Sequence, residues 1–247
     1  MPDTIVLNGV ARHFGSGRSR VSAVEDLSFS VGQGEYVCIL GRSGCGKSTT
    51  FNLLLGLLKP SKGHIEIGGL RPFEDFDKLR GMIGCIFQND RLLPWRSSLD
   101  NVLLPREILG TRDEEAEAFA RKLLIEFGLS GFENKRPSQL SGGMRQRVAI
   151  ARALASEPAV LLADEPFGHL DESTGEQLRK QFKGVARRGR KTVLHVTHSI
   201  DEALSVADRI LVFGKQGRVL LNAPAVSQNG EARLGLRELI FESLSNK

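Results

Sequence analysis

The stretch Gly41-Arg42-Ser43-Gly44-Cys45-Gly46-Lys47-Ser48 matches G-x-x-x-x-G-K-[ST] with no deviation. A short apolar run, Tyr36 to Leu40, precedes it, and a helical pattern from about Lys47 to Leu58 follows. Glycines let a backbone curl until consecutive N–H groups point inward, where they suit phosphate oxygens. The helix behind adds the positive end of its dipole. Lys47 is then expected to reach the β- and γ-phosphates, and Ser48 to give a hydroxyl ligand to Mg²⁺. Thr49, next in the chain, joins this set of expected nucleotide contacts.

A second stretch, Val160-Leu161-Leu162-Ala163-Asp164-Glu165-Pro166, is an apolar run delivering two carboxylates at its end. In α/β proteins ligands bind at the C-terminal ends of strands. Asp164 is expected to hold Mg²⁺ through water, and Glu165 to orient and polarise an attacking water as general base. A strand ending in Asp-Glu is common by itself. The phosphate loop upstream gives it meaning, because such a loop needs an acid.

A third stretch is Leu140-Ser141-Gly142-Gly143-Met144-Arg145-Gln146. Ser141, Gly142 and Gly143 open a helical pattern, so their N–H groups form an anion site. The same residues also suit a plain serine N-cap followed by flexible glycines.

These residues need a frame. Ile5 to Leu7 and Leu27 to Val31 alternate as strands do, and His64 to Ile67 does so before the turn Gly68-Gly69. Met82 to Phe87, Val160 to Ala163, Thr192 to Thr197 and Arg209 to Phe213 are further strands. Ser97 to Leu154 is mainly helical, with Thr111 and Asp113 able to start a helix whose first turn is acidic. The order predicts a parallel α/β core with a helical insertion between about Asp90 and Ser156. A terminal helix is expected over Gly235 to Leu244.

The bulk properties agree. The chain has 247 residues, 40% hydrophobic and 26% charged, enough for one large domain or two small ones. Its net charge of +5 and pI of 9.3 come without a dense basic block, which favours a solvated surface over a nucleic-acid face. The run Arg187 to Lys191 fits a charged helix end. Cys38, Cys45 and Cys85 are odd in number and lack zinc-ligand spacing, as expected in a reducing compartment. Met1 to Val10 lacks a signal-peptide pattern, and Phe51 to Leu58 is too short to cross a bilayer. Any membrane role is therefore expected to come through partners.

The third stretch resembles the signature segment of the ABC ATPase family, L-S-G-G-Q, with Met144 in place of Gln. The resemblance spans about Ile5 to Arg218. It implies a P-loop NTPase core with a mainly parallel sheet, an N-terminal antiparallel β part and a helical signature subdomain. The ABC domain would cover residues 1–225, with a short tail over 226–247. ATP and Mg²⁺ are the implied cofactors. Gln88 matches the Q-loop, which touches Mg²⁺ and the attacking water and faces a membrane partner. Gly168-His169-Leu170-Asp171 matches the D-loop, with His169 where Ala is usual. His198 matches the switch histidine at the γ-phosphate, with Ser199 in place of the frequent Asp. Phe14 matches the aromatic that stacks on adenine. His195 suits the core and His64 the surface. Leu92-Leu93-Pro94-Trp95 resembles the nitrate, sulfonate and taurine importer branch. There Trp95 either faces a coupling helix of the partner or packs under the helical insertion.

In this family each nucleotide is held by one subunit and capped by Ser141 to Gly143 of a second copy. The resemblance thus implies a two-fold dimer. It also implies membrane-spanning permease subunits, a separate solute-binding protein and a place on the cytoplasmic face of the cell membrane. An exporter or lipid-transporter ATPase shares the same motifs. A nucleic-acid machine of the superfamily would bring long coiled coils, fused nucleotide domains or zinc sites, so no nucleic acid is expected. A non-hydrolysing relative would not need Glu165 and His198.

Overall fold

The structure is a computed structural model describing residues 3–15, 17–168, 170, 172–225 and 230–245. In chain order the elements are β1 (Asp3–Phe14), β2 (Val21–Gly32), β3 (Tyr36–Gly41), α1 (Lys47–Leu54), β4 (Lys62–Ile67) and β5 (Ile83–Ile86). There follow α2 (Ser98–Ile108), α3 (Glu114–Glu126), α4 (Gly142–Leu154), β6 (Val160–Asp164) and α5 (Glu172–Arg188). The chain closes with β7 (Thr192–Thr197), α6 (Ile200–Val206), β8 (Arg209–Phe213), β9 (Val219–Pro224) and α7 (Gly230–Ser245). They group into two compact units, Met1–Leu79 with Thr192–Lys247, and Arg80–Lys191.

The first unit contains two sheets. An antiparallel one has the order β2-β1-β4. In β1, Val6 faces Ser30 on one side and Glu66 on the other. The period-2 pattern turns Ile5, Leu7, Leu27, Val31, Ile65 and Ile67 inward, all buried. The other sheet carries β7, β3, β8 and β9 side by side in that order. β3 is parallel to β7 and to β8, and β9 closes antiparallel on β8. Every residue of β3 is buried, as its unbroken apolar run requires of a strand covered on both faces. Burial of Val37, Ile39 and Leu40 contributes about 1.5–3 kcal/mol each and fixes the strand whose end launches the phosphate loop.

The α1 helix stops at Leu54, short of the expected Leu58. Gly56 turns the chain left-handed at φ 70°. The N–H of Gly56 donates to Leu53 O at 3.1 Å and that of Leu57 to Asn52 O at 3.0 Å, so the last carbonyls are satisfied outside the helix. A side chain at Gly56 would sit 2.1 Å from the Pro72 carbonyl oxygen, so glycine is required there.

In the second unit β5 and β6 run parallel, with Ile83 opposite Val160 and Ile86 opposite Ala163. Three helices start on side-chain caps: Ser97 accepts from Asp100 N, Asp113 from Ala116 N and Ser141 from Met144 N. The α4 helix buries Val148, Ile150, Ala151 and Leu154. Gly84 lets α4 approach β5 closely, since a Cβ there would meet the Ala153 carbonyl oxygen at 2.3 Å. Among the described residues, no helix is long and apolar enough to cross a membrane.

Candidate functional site

The phosphate loop hangs between the buried end of β3 and the start of α1. Gly41 is needed because a Cβ would meet Cys45 Sγ at 2.6 Å and the Phe213 carbonyl oxygen at 2.9 Å. Gly44 and Gly46 hold φ of 77° and 107°, values that L side chains adopt only with strain. Gly46 is the N-cap of α1 and offers no side-chain cap. Arg42, Ser43, Gly44 and Ser48 are exposed, Lys47 and Thr49 half-buried, and Cys45 buried. Lys47 Nζ donates to Gly41 O at 2.5 Å and to Arg42 O at 2.9 Å. The loop is pinned from behind, where the Gly217 N–H donates to Cys45 O at 2.7 Å.

His198 belongs to the same unit. It follows the buried strand β7 and is exposed. Ser199 beside it caps α6 by accepting from Glu202 N at 3.2 Å, so the serine fixes the start of that helix. His195 is fully buried, as its strand position predicts. Its Nδ1 lies 3.1 Å from the Tyr36 hydroxyl and its Nε2 lies 2.8 Å from Glu202 Oε1. Burial pushes the Tyr36 hydroxyl well above its ordinary pKa of 10.0. Phe14 ends β1 with 40% of its surface exposed, and the Arg12 guanidinium covers its ring at 4.7 Å.

The second unit presents the carboxylates. Asp164 ends β6 half-buried. Glu165 then turns into the left-handed region at φ 46°, a conformation that costs a non-glycine residue. Gln88 follows β5, and its Nε2 donates to Glu165 Oε2 at 3.1 Å. Two residues predicted separately, 77 positions apart, thus meet in one hydrogen bond. Ser141 N-caps α4 through its Oγ, 3.2 Å from Met144 N, and with Gly142 lies exposed. The predicted contacts His169 and Asp171 lie outside the described residues. Trp95 sits in a turn and is 67% exposed, which corrects the alternative of an aromatic packed beneath the helices.

Sequence reasoning missed Asp90, Arg145, Gln146 and Arg152, which bond to one another or to the chain beside Gln88 and Glu165. Arg145 and Arg152 lie two turns apart on one face of α4, the spacing that could have flagged them. Their partner Asp90 is 55 positions from Arg145, beyond any local pattern.

A left-handed glycine loop feeding a helix N-terminus, a buried parallel strand before it and a strand-end carboxylate held by a glutamine define a phosphate-loop NTPase. The ABC transporter family model matches residues 24–168. The nitrate import ATP-binding protein of Synechococcus elongatus is 42% identical over 222 residues, 88% of this chain and 76% of that protein. The taurine import ATP-binding protein of Rhizobium johnstonii is 44% identical over 201 residues, 81% of this chain and 75% of that protein. A dimeric ATP-binding cassette solved in a post-hydrolysis state with ADP and phosphate superposes with a TM-score of 0.80 at 34% identity. That likeness covers 91% of this chain and all of the solved one. The chain belongs to the ABC transporter family. It is a nucleotide-binding ATPase of that family.

Proposed function

We propose that this chain is the ATP-hydrolysing subunit of an importer for a small anion of the nitrate, sulfonate or taurine type. The observation that carries the catalytic part is the hydrogen bond from Gln88 Nε2 to Glu165 Oε2. It holds the carboxylate of the base beside a residue able to orient water. The importer part is supported by the similarity to nitrate and taurine import proteins.

In this reading residues 1–225 form the ATPase domain, with a helical insertion over about 90–156, and 226–247 form a C-terminal tail. The N–H groups from Gly41 to Thr49 cradle the phosphates. Lys47 exchanges its carbonyl partners in the loop for β- and γ-phosphate oxygens. Phe14 stacks on adenine. Glu165 takes the proton of the attacking water, and His198 contacts the γ-phosphate. Ser48, Asp164 and Gln88 offer hydroxyl, carboxylate and amide oxygens, a hard donor set that fits Mg²⁺. The Gln88 nitrogen is used on Glu165, which leaves its amide oxygen as the acceptor end. Mg²⁺ held by such groups would supply charge neutralisation to the phosphates.

Ser141 to Gly143 cap the nucleotide of a second copy. Hydrolysis then loosens the pair, and the difference in affinity between closed and open states does work on permease subunits. A groove of about 370 Å³ in the second unit, lined by Phe87, Leu104, Pro105 and Ile108 among others, supports a docked apolar segment of such a partner. Exposed Trp95 and Ile108 add to that surface. The subunit sits peripherally on the cytoplasmic face of the membrane, served by a separate solute-binding protein.

The test is capture of tagged Glu165→Gln from gently solubilised native membranes with ATP. Recovery of a polytopic permease is expected, and its binding protein is then titrated with nitrate, taurine and an alkanesulfonate. Recovery of ribosomes, DNA-bound proteins or no membrane protein would overturn the importer assignment.

A further inference from the structure

The first turn of α4 grips both chain segments that carry the Gln88–Glu165 pair. Arg145 Nε donates to Asp90 Oδ2 at 3.0 Å, and its Nη1 to Leu140 O at 3.0 Å. Asp90 lies two residues beyond Gln88. Arg152, two turns further along the helix, donates from Nη2 to Asp90 O at 2.6 Å and from Nη1 to Arg91 O at 2.7 Å. The other carboxylate oxygen of Asp90 accepts from Leu92 N at 3.2 Å, which stiffens the segment from within. On the opposite side Gln146 Nε2 donates to Pro166 O at 2.6 Å, next to Glu165. Gln146 is 7% exposed, so this bond is shielded from water and leaves a costly orphan if broken. Neighbouring residues of one helix turn therefore hold one segment each.

Polar clamps of this kind are directional in a way that apolar packing is not. A Leu–Leu contact tolerates a slide of α4; an arginine that donates once to a carboxylate and once to a carbonyl, and a single amide on one carbonyl, do not. The helix they belong to begins at Ser141. Resting on the reading of Glu165 as base, we propose that Arg145 and Gln146 are positioning residues for hydrolysis. They tie the anion site this subunit offers to its partner copy to the Gln88–Glu165 pair that acts on its own nucleotide. A shift of α4 moves both grips together, so the state of one nucleotide site is felt at the base of the other.

The full-length chain is assayed by steady-state and single-turnover hydrolysis of radiolabelled ATP. Asp90→Ala and Arg145→Ala are each expected to lower kcat about tenfold, with KM for ATP held within about twofold. The charge exchange Asp90→Arg with Arg145→Asp recovers part of the loss. In a Glu165→Gln background Arg145→Ala costs nothing further, because its effect runs through that carboxylate. An equal cost in both backgrounds, a loss confined to KM, or wild-type turnover in folded single variants would overturn the proposal. If Arg145→Ala does not fold, Arg145→Lys serves in its place, since a lysine lacks the second nitrogen that lets the guanidinium reach Asp90 and Leu140 O together. Wild-type turnover by Glu165→Gln alone would instead sink the base assignment. An inactive Glu165→Gln beside a fully active Asp90→Ala sinks only the positioning role.

Discussion

Lys47 Nζ donates to the carbonyl oxygen of Gly41, six residues back along the chain, at 2.5 Å. The cation thus closes its own loop and holds the carbonyls of Gly41 and Arg42. In the phosphate role proposed for Lys47, nucleotide would displace these bonds, because an ammonium–phosphate contact joins two full charges where an ammonium–carbonyl contact joins only one. Lys47→Ala removes the gain and leaves the N–H cradle. We expect ATP affinity to fall at least about tenfold, as ~1.4 kcal/mol of lost binding requires. Calorimetric titration checks this; unchanged affinity contradicts the loop's assignment.

Glu165→Gln keeps an acceptor for the Gln88 amide and would remove the base proposed above. Nucleotide binding should persist, while hydrolysis should fall by roughly 10²–10⁴-fold, the usual worth of general-base catalysis. With ATP and Mg²⁺ the variant should elute as a dimer in light-scattering chromatography. Normal turnover would take Glu165 out of the base role.

A pH dependence of stability follows from Glu35 and Arg209. The guanidinium donates from Nε to Glu35 Oε1 at 2.6 Å and from Nη2 to Oε2 at 2.9 Å. Burial pushes the Glu35 carboxyl up, but these bonds and the Gly32 N–H outweigh it and hold the pKa below 4.5. A depressed folded-state pKa gives stability that is present above the unfolded value and lost as pH falls through the folded one. The melting-temperature gap between wild type and Glu35→Gln should therefore be full near neutrality and close below pH 4.5. A gap that widens on acidification would contradict the pairing.

Gly84→Ala tests the seat of α4. The new Cβ would face the Ala153 carbonyl oxygen at 2.3 Å and Pro158 Cγ at 2.8 Å, and backbone cannot yield as a side-chain tip does. A loss of about 1–3 kcal/mol in denaturant unfolding is expected. Unaltered stability would mean that α4 rides more loosely on β5 than these distances state.

Local chemistry was the legible part of the sequence. The glycine loop, the strand ending at Asp164 and the helix caps at Asp113 and Ser141 each depend on neighbours within a few residues. Such patterns report their own geometry. The end of α1 was misread because its apolar run continues to Leu58, while the termination is set by Gly56 pressed against Pro72. Arg145, Gln146 and Asp90 stayed hidden for a different reason. Their bonds join segments 55 and 20 positions apart, and nothing in an arginine's neighbours tells which distant carboxylate it will meet. Trp95 remained undecided between buried and exposed because both are ordinary for an aromatic after a proline.

The start of α1 carries a thermodynamic consequence. Its N-cap is a left-handed glycine with no side chain to accept from the first-turn amides. Other helices of this chain begin on Ser97, Asp113, Ser141 and Ser199, whose oxygens complete the first turn from within. At α1 no side chain completes the first turn, so phosphate bound in the proposed loop would do for this helix what those oxygens do for the others. Ligation and folding would then share one free energy, with nucleotide at a hundredfold excess over Kd adding about 2.7 kcal/mol of stability and raising the melting point with it.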